Sequence, residues 1–143
     1  TNRFADLAFY AYRDLSRTEV EPFLAAAIDR SPVVIEGARE MDLAALFDYL
    51  NSMPDESTYD GPGRLAQPDE VWNFGRGDGL EKVITMAAVL RERGIDGEMT
   101  ISIGAGEVVL QAGDDQWTFA TSKGLTEQEW AVPVRRPPSA AAS

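Results

Sequence analysis

The first half of the chain alternates apolar and polar residues with a helical period. Apolar side chains recur every three or four residues in three successive segments, which predicts amphipathic helices. The predicted helices cover residues 1–15, 18–30 and about 38–52. Thr18 and Glu21 form a capping-box pair at the start of the second helix, and Ser31-Pro32 ends it.

Two stretches of this half are predicted to be non-helical. The β-branched run Val33-Val34-Ile35 is interpreted as a short buried strand or an extended link. Residues 53 to about 68 contain several Pro and Gly residues and are predicted to form a loop. The segment that follows, residues 69–78, leads into the clearest helix of the sequence.

That helix is predicted over Gly79–Arg93. Its apolar stripe is wide, as expected for a helix that is buried on most sides. Asp78 and Glu81 have the spacing of a capping box at its start. Gly94 occupies the position at which many helices end in a left-handed residue.

After Gly94 the hydrophobic period changes to two residues, which is typical of strands. Three strands separated by glycine-containing turns are predicted, over residues 99–103, 107–111 and 117–121. Helices followed by an antiparallel meander indicate an α+β fold, with the central helix packed on the sheet.

The length of 143 residues is that of one ordinary domain. We predict a single domain over residues 1–134, with a helical N-terminal extension (1–37) and a core (38–134). Residues 135–143 are rich in Pro, Ala and Ser and are predicted to form a disordered tail. No apolar run approaches the ~20 residues that a membrane span needs. The compartment stays open, either cytoplasmic or exported after removal of a leader.

Charge narrows the choice of partners. The chain has 13 basic and 24 acidic side chains and a formal net charge of −11. Nucleic acids and anionic membranes would repel such a surface, so neither is expected as a partner. A protein, peptide or glycan is expected instead, with basic character if the partner is charged. The oligomeric state is left open.

The chain contains neither cysteine nor histidine. Thiolate nucleophiles, disulfides, zinc fingers, histidine-based triads and imidazole metal ligands are therefore excluded. Acidic residues cluster in the predicted loops, but their spacing is not that of an EF-hand. We interpret them as solvated loop and turn residues, and we predict no cofactor and no metal.

The glycine-rich run Gly75-x-Gly77-x-Gly79 precedes the central helix and has two interpretations. It could cradle a phosphate, since helix N-termini attract anions. However, no strand leads into it, and Asp78 and Glu81 place negative charge at the same helix start. A helix cap explains these residues better than a phosphate site does.

The segment from Asp69 to Leu125 resembles the transglutaminase-like superfamily, a branch of the papain-like fold. The most specific match is the helix start Gly77-Asp78-Gly79-Leu80-Glu81-Lys82, and Asp69-Glu70-Val71 precedes it as in the family. The resemblance covers about residues 40–125 and implies a papain-like core. Active members hold a nucleophilic cysteine at this helix start, with a histidine and an aspartate on the following strands.

Carried over position by position, the resemblance implies that the whole catalytic triad is absent. Gly79 stands at the position of the cysteine, Glu107 at that of the histidine (Gly106 less well), and Ala120 at that of the aspartate. These replacements indicate a pseudoenzyme rather than an enzyme. Gly79 either is a repacked position or leaves an open floor in the former cleft.

The main hypothesis is a catalytically inactive binding or scaffold module. Its former cleft is predicted near Trp72, Asp78, Gly79, Glu107 and Trp117, although both tryptophans are equally consistent with core positions. One alternative is a hydrolase with replaced, carboxylate-based chemistry, in which Glu107 acts as general acid or base. Another is a structural or regulatory subunit of an active relative.

Overall fold

The computed structural model describes residues 17–60 and 64–135, which contain helices in the first part and strands in the second. The helices are α1 (Arg17–Asp29), α2 (Pro32–Gly37), α3 (Leu43–Ser52), α4 (Pro68–Phe74) and α5 (Gly79–Glu92). The strands are β1 (Met99–Ile103), β2 (Glu107–Ala112), β3 (Asp115–Ala120) and β4 (Gln128–Ala131). The predicted α+β class is confirmed. The helix predicted over residues 1–15 lies outside the described residues, as does the predicted tail (135–143) after its first residue.

Helix α5 is the centre of the fold. Every residue from Gly79 to Arg91 is buried, which explains its wide apolar stripe. The helix contacts β2 and β3 on the sheet side and the four other helices elsewhere. The predicted capping box of Asp78 and Glu81 is confirmed, and Gly94 takes a left-handed φ of 93° directly after the helix.

The strands form one antiparallel sheet in the order β3-β2-β1-β4. Ile101, Val108 and Leu110 are fully buried on one face, while the residues that alternate with them are half-buried or exposed. The sheet therefore has one face against the helical core and one outer face, as antiparallel sheets commonly do. Three of its strands are where the sequence predicts them within about two residues, whereas β4 is not predicted.

The interpretation of Val33-Val34-Ile35 as a strand or link is wrong, since these residues belong to α2. Pro32 supplies a helix-compatible first position. The carboxylate of Asp69, on α4, accepts hydrogen bonds from Val33 N at 3.2 Å and Val34 N at 2.9 Å. A side chain from a distant helix thus satisfies the free N–H groups at the start of α2.

Two further boundaries differ from the sequence prediction. Helix α3 begins at Leu43 rather than near residue 38, because the Asp42 carboxylate caps it by accepting from Ala45 N at 2.8 Å. Helix α4 is not predicted as a helix, although Pro68 begins it and Gln67 N donates to the Glu70 carboxylate at 2.8 Å. Helices α1 and α2 pack on α5, so residues 20–37 share one hydrophobic core with the rest of the described chain.

Candidate functional site

Gly79 is sealed beneath the sheet instead of opening into a cleft. A Cβ at this position would overlap the Ala120 carbonyl oxygen and would lie 2.7 Å from the Ala120 carbonyl carbon and 2.9 Å from Phe119 Cβ. The first turn of α5 therefore rests directly on the backbone of β3, and only glycine fits there. The interpretation of Gly79 as the open floor of a former cleft is wrong.

Glu107 and Ala120 are direct cross-strand partners in β2 and β3, but they point away from α5. Their neighbours Val108 and Phe119 form the next pair and are buried on the helix side. Because successive side chains alternate between faces, Glu107 and Ala120 lie on the outer face, where both are exposed. The structure brings the backbones of Gly79, Ala120 and Glu107 together without bringing their side chains into one site.

Trp72 and Trp117, the two tryptophans predicted to line the cleft, lie in separate places, and both pack against the core. Trp72 lies on α4, where its indole covers Gly37 and contacts the ring of Tyr49 at a centroid distance of 5.0 Å. Trp117 lies on β3 opposite the buried Leu110, on the helix side of the sheet. Of the five residues predicted to line the cleft, only Asp78 lines the cavity described below.

Asp78 ties the start of α5 to the chain segment after β3. One carboxylate oxygen caps the helix by accepting from Leu80 N at 2.8 Å and also accepts from the Thr121 hydroxyl at 2.5 Å. The other oxygen accepts from Ser122 N at 2.8 Å. The Asp78 side chain is almost fully buried, and both of its carboxylate oxygens accept hydrogen bonds. Its negative charge interacts favourably with the positive, N-terminal end of the helix dipole.

Glu81 and Lys82 fasten the segment before α4 to the same helix end. The fully buried Glu81 carboxylate accepts from Asp78 N at 2.8 Å and from Ser57 Oγ and Ala66 N at 2.7 Å each. The Lys82 ammonium, also fully buried, donates to Met53 O at 2.7 Å and to the Asp55 carboxylate at 2.6 Å. Burial of these charges is tolerated because each is hydrogen-bonded.

Lys123 closes the arrangement from the sheet side. Its ammonium donates to Tyr59 O at 2.9 Å and to Arg64 O at 2.8 Å, on the two sides of residues 61–63. Burial lowers the pKa of Lys123 below its ordinary value, and the nearby Glu81, Asp78 and Asp60 carboxylates partly offset this. The Lys123 ammonium therefore links the backbone of Tyr59 to that of Arg64.

An open cavity of about 560 Å³ lies beside this network, at the N-terminal end of α5. We call it the α5 groove. Its lining is polar and consists of four carboxylates, two cationic groups and three hydroxyl groups. These are Asp55, Glu56, Asp60, Asp78, Arg76, Lys123, Ser57, Tyr59 and Ser122. Negative groups outnumber positive ones, so the lining favours a cationic ligand group over an anion.

Tyr59 is one of the groove residues that the sequence analysis does not predict. Its hydroxyl donates to the Glu70 carboxylate, and the Arg64 guanidinium lies 4.3 Å from the centre of its ring. The hydrogen bond to Glu70 raises the pKa of Tyr59 above its usual 10.0, with smaller contributions from burial and from the Glu70 charge. Tyr59 is thus held as a neutral phenol, which is the opposite of an activated nucleophile.

The glycines of the Gly75-x-Gly77-x-Gly79 run are each explained by backbone conformation or by packing. Gly75 ends α4 with a left-handed φ of 68°, and a Cβ on Gly77 would lie 3.3 Å from Val71 Cγ1 and Cγ2. With Asp78 and Glu81 capping the helix, this geometry supports the cap interpretation over a phosphate cradle.

Within residues 17–60 and 64–135, no group of three or more Asp and Glu side chains is placed to hold a metal ion. None of the helices in that part of the chain is long and apolar enough to cross a membrane. No family model, curated protein or solved structure matches this chain. The resemblance to the transglutaminase-like superfamily therefore stays a prediction.

Proposed function

We propose that this protein is a non-catalytic binding module that holds a cationic group of a peptide or protein partner in the α5 groove. The observation that carries the proposal is the groove itself. It is an open cavity of about 560 Å³ at whose mouth the carboxylates of Glu56 and Asp60 are exposed. Concave sites with a few convergent polar groups are the usual places for ligands.

The non-catalytic part is supported by what surrounds the groove. The chain has no Cys and no His, and the buried carboxylates of Asp78 and Glu81 are engaged by several donors each. A carboxylate that serves as general base needs a free lone pair within reach of a substrate proton. Asp78 and Glu81 use theirs to build the site.

The cationic preference is supported by the exposed charges at the groove mouth. The Glu56 side chain is 69% exposed and its nearest cation, Arg76, is 3.7 Å away and itself exposed, so this ion pair is weak. Asp60 is exposed as well, and the cation Lys123 beneath it is already clamped to backbone carbonyls. Incoming positive charge therefore meets accessible carboxylates first.

The alternative hypothesis of a carboxylate-based hydrolase gains no support from the position of Glu107. That residue is exposed on the outer sheet face and does not line the groove. The general acid or base of a hydrolase works inside a pocket, and Glu107 does not lie in one. Loss of a measured hydrolytic activity in Glu107→Gln would nevertheless overturn the non-catalytic part of the proposal. The role of a structural or regulatory subunit stays a prediction.

Binding of a fluorescent tetralysine peptide at low salt tests the proposal. The double variant Glu56→Gln/Asp60→Asn removes two accessible groove charges and is expected to weaken binding about tenfold, which corresponds to ~1.4 kcal/mol. The matched control Glu40→Gln/Glu92→Gln removes two exposed charges elsewhere and leaves binding within about twofold. Equal losses in both variants, or no binding by the unaltered protein, would contradict the proposal.

A further inference from the structure

The outer edge of β3 has backbone groups that no strand of the sheet uses. Residues 112 and 115 flank the two-residue turn, and Thr121 N donates to Gly106 O at 3.1 Å. In this antiparallel register the residues at 115, 117, 119 and 121 direct their backbone groups toward β2. Gln116, Thr118 and Ala120 therefore direct theirs away from the sheet.

Two of these three residues have free outward backbone groups. The Ala120 carbonyl is covered by the first turn of α5 at Gly79. Gln116 and Thr118 are exposed, and their N–H and C=O groups have no hydrogen-bond partner among the described residues. They present two donors and two acceptors at the spacing of a strand edge.

The β3 edge also lacks the features that usually protect such edges. Proteins block exposed edges with Lys, Pro, bulges or very short strands. β3 has six residues, contains no Lys or Pro, and pairs with β2 without a bulge over its whole length. The opposite edge, β4, has four residues and is soon followed by Pro133, so it is protected in the usual way.

Charge determines which strand fits this edge. The four strands carry the acidic residues Glu107, Asp115 and Glu129 and no Lys or Arg. The turn before β3 adds Asp114. A second copy of the chain would bring two acidic sheets together within an overall charge of −11 per copy. A lysine- or arginine-rich segment would instead meet complementary charge.

We infer that the β3 edge binds an extended, basic segment of a partner protein by strand addition at Gln116 and Thr118. The partner's backbone pairs with the four outward groups, while its basic side chains lie near Asp114 and Asp115 and can reach toward Glu107 on the neighbouring strand β2. The inference goes beyond the α5 groove and does not depend on it, because it rests on backbone groups of β3 that the groove does not include.

The variant Thr118→Pro tests the edge directly. It removes an outward N–H and leaves the β2–β3 hydrogen bonds intact, because proline is accepted at edge positions whose N–H faces away from the sheet. The control Thr118→Val keeps the N–H. The probe is a labelled octapeptide of alternating lysine and valine, and Thr118→Pro is expected to weaken its binding about tenfold while Thr118→Val stays within about twofold.

Three outcomes would overturn the inference. The first is that Thr118→Pro and Thr118→Val bind the lysine–valine peptide equally well. The second is that a glutamate–valine octapeptide binds as tightly as the lysine–valine peptide. The third is that the unaltered protein sediments as a dimer and Thr118→Pro sediments as a monomer. If Thr118→Pro does not fold, the lysine–valine probe is N-methylated at alternate residues, which removes the donors from the peptide instead. Unchanged binding of that methylated probe would also overturn the inference. Tetralysine binding at the α5 groove is expected to be the same in Thr118→Pro and the unaltered protein, so the two proposals fail separately.

Discussion

At both ends of α5, buried charged side chains form hydrogen bonds, and the helix dipole is matched by carboxylates at one end and by a guanidinium at the other. At the N-terminal end, buried carboxylates of Asp78 and Glu81 accept from free N–H groups. At the C-terminal end, the almost fully buried Arg91 guanidinium donates to four carbonyl groups at 2.7–3.0 Å. The four carbonyls belong to Pro133, Ile95, Gly97 and Val132. Each arrangement places charge of the sign that the helix dipole favours.

The ends differ in what they leave accessible. At the C-terminal end a single side chain, Arg91, makes the buried contacts, and it donates to backbone carbonyls. Burial lowers the pKa of Arg91. The N-terminal end needs charges of both signs from several segments, and the rim of that network, at Glu56 and Asp60, faces the α5 groove. The buried, hydrogen-bonded charges are structural at both ends, and the exposed rim carboxylates Glu56 and Asp60 are the groups left to bind a ligand.

The largest effect is expected from Gly79→Ala. The added methyl group would overlap the carbonyl group of Ala120, which is part of the backbone and cannot move aside as a flexible side chain could. We therefore expect the free energy of unfolding to fall by about 3 kcal/mol or more. Urea unfolding measures this loss. Gly97→Ala is the control, because a Cβ there meets nothing within 4 Å and the residue has no left-handed φ. Similar stability of the two variants would show that the start of α5 does not rest on β3.

An intermediate effect is expected from Glu81→Gln. The change keeps the side-chain length but places an NH₂ group opposite donors such as Ser57 Oγ and Ala66 N. The free energy of unfolding is therefore expected to fall by about 2–3 kcal/mol. The counterpart at the other end, Arg91→Lys, keeps the charge and gives up part of the four-carbonyl contact, at a cost of about 1–2 kcal/mol. Urea unfolding of both variants checks the order. A greater loss in Arg91→Lys would reverse the comparison of the two ends.

The smallest effect is expected from the titration of Tyr59. The pKa of this phenol is higher in the folded protein than its ordinary 10.0, so the folded state keeps a proton that the unfolded chain releases. Its contribution to stability is therefore present below pH 10 and is lost as pH rises from 10 through the folded pKa. The free energy of unfolding at about pH 9 and 11 measures this loss. Tyr59→Phe is expected to show a smaller decrease, and an equal decrease would contradict the assignment.

Local signals explain the parts of the fold that sequence reasoning predicts well. The capping box at Asp78, the apolar stripe of α5 and the two-residue alternation of β1 to β3 all depend on near neighbours in the chain. Val33–Ile35 is different, because the Asp69 carboxylate that supports its helical form lies 35 residues from Val34. A β-branched run without that partner has the local preference of a strand.

The candidate site shows the same limit. Asp78 could be singled out from the sequence because helix starts have a recognisable pattern. The sealing of Gly79 depends on where the β3 backbone passes, which no spacing reveals. The role of Tyr59 depends on its contact with Glu70, and the role of Lys123 depends on its contacts with Tyr59 O and Arg64 O. The acidic residues at 55–60 are evident from the sequence, but their position beside the start of α5 is not.

The hydrogen bond from Ser122 N to Asp78 joins residues that are 44 positions apart. The Asp78 carboxylate can cap α5 locally, but the donor to its other oxygen, Ser122 N, lies just after β3. The backbone on which Gly79 packs is that of Ala120, at the end of β3. Such distant contacts form slowly, since the intervening loop must first close. We therefore expect the contact of Gly79 with Ala120 to form only after the β2–β3 hairpin has docked on α5.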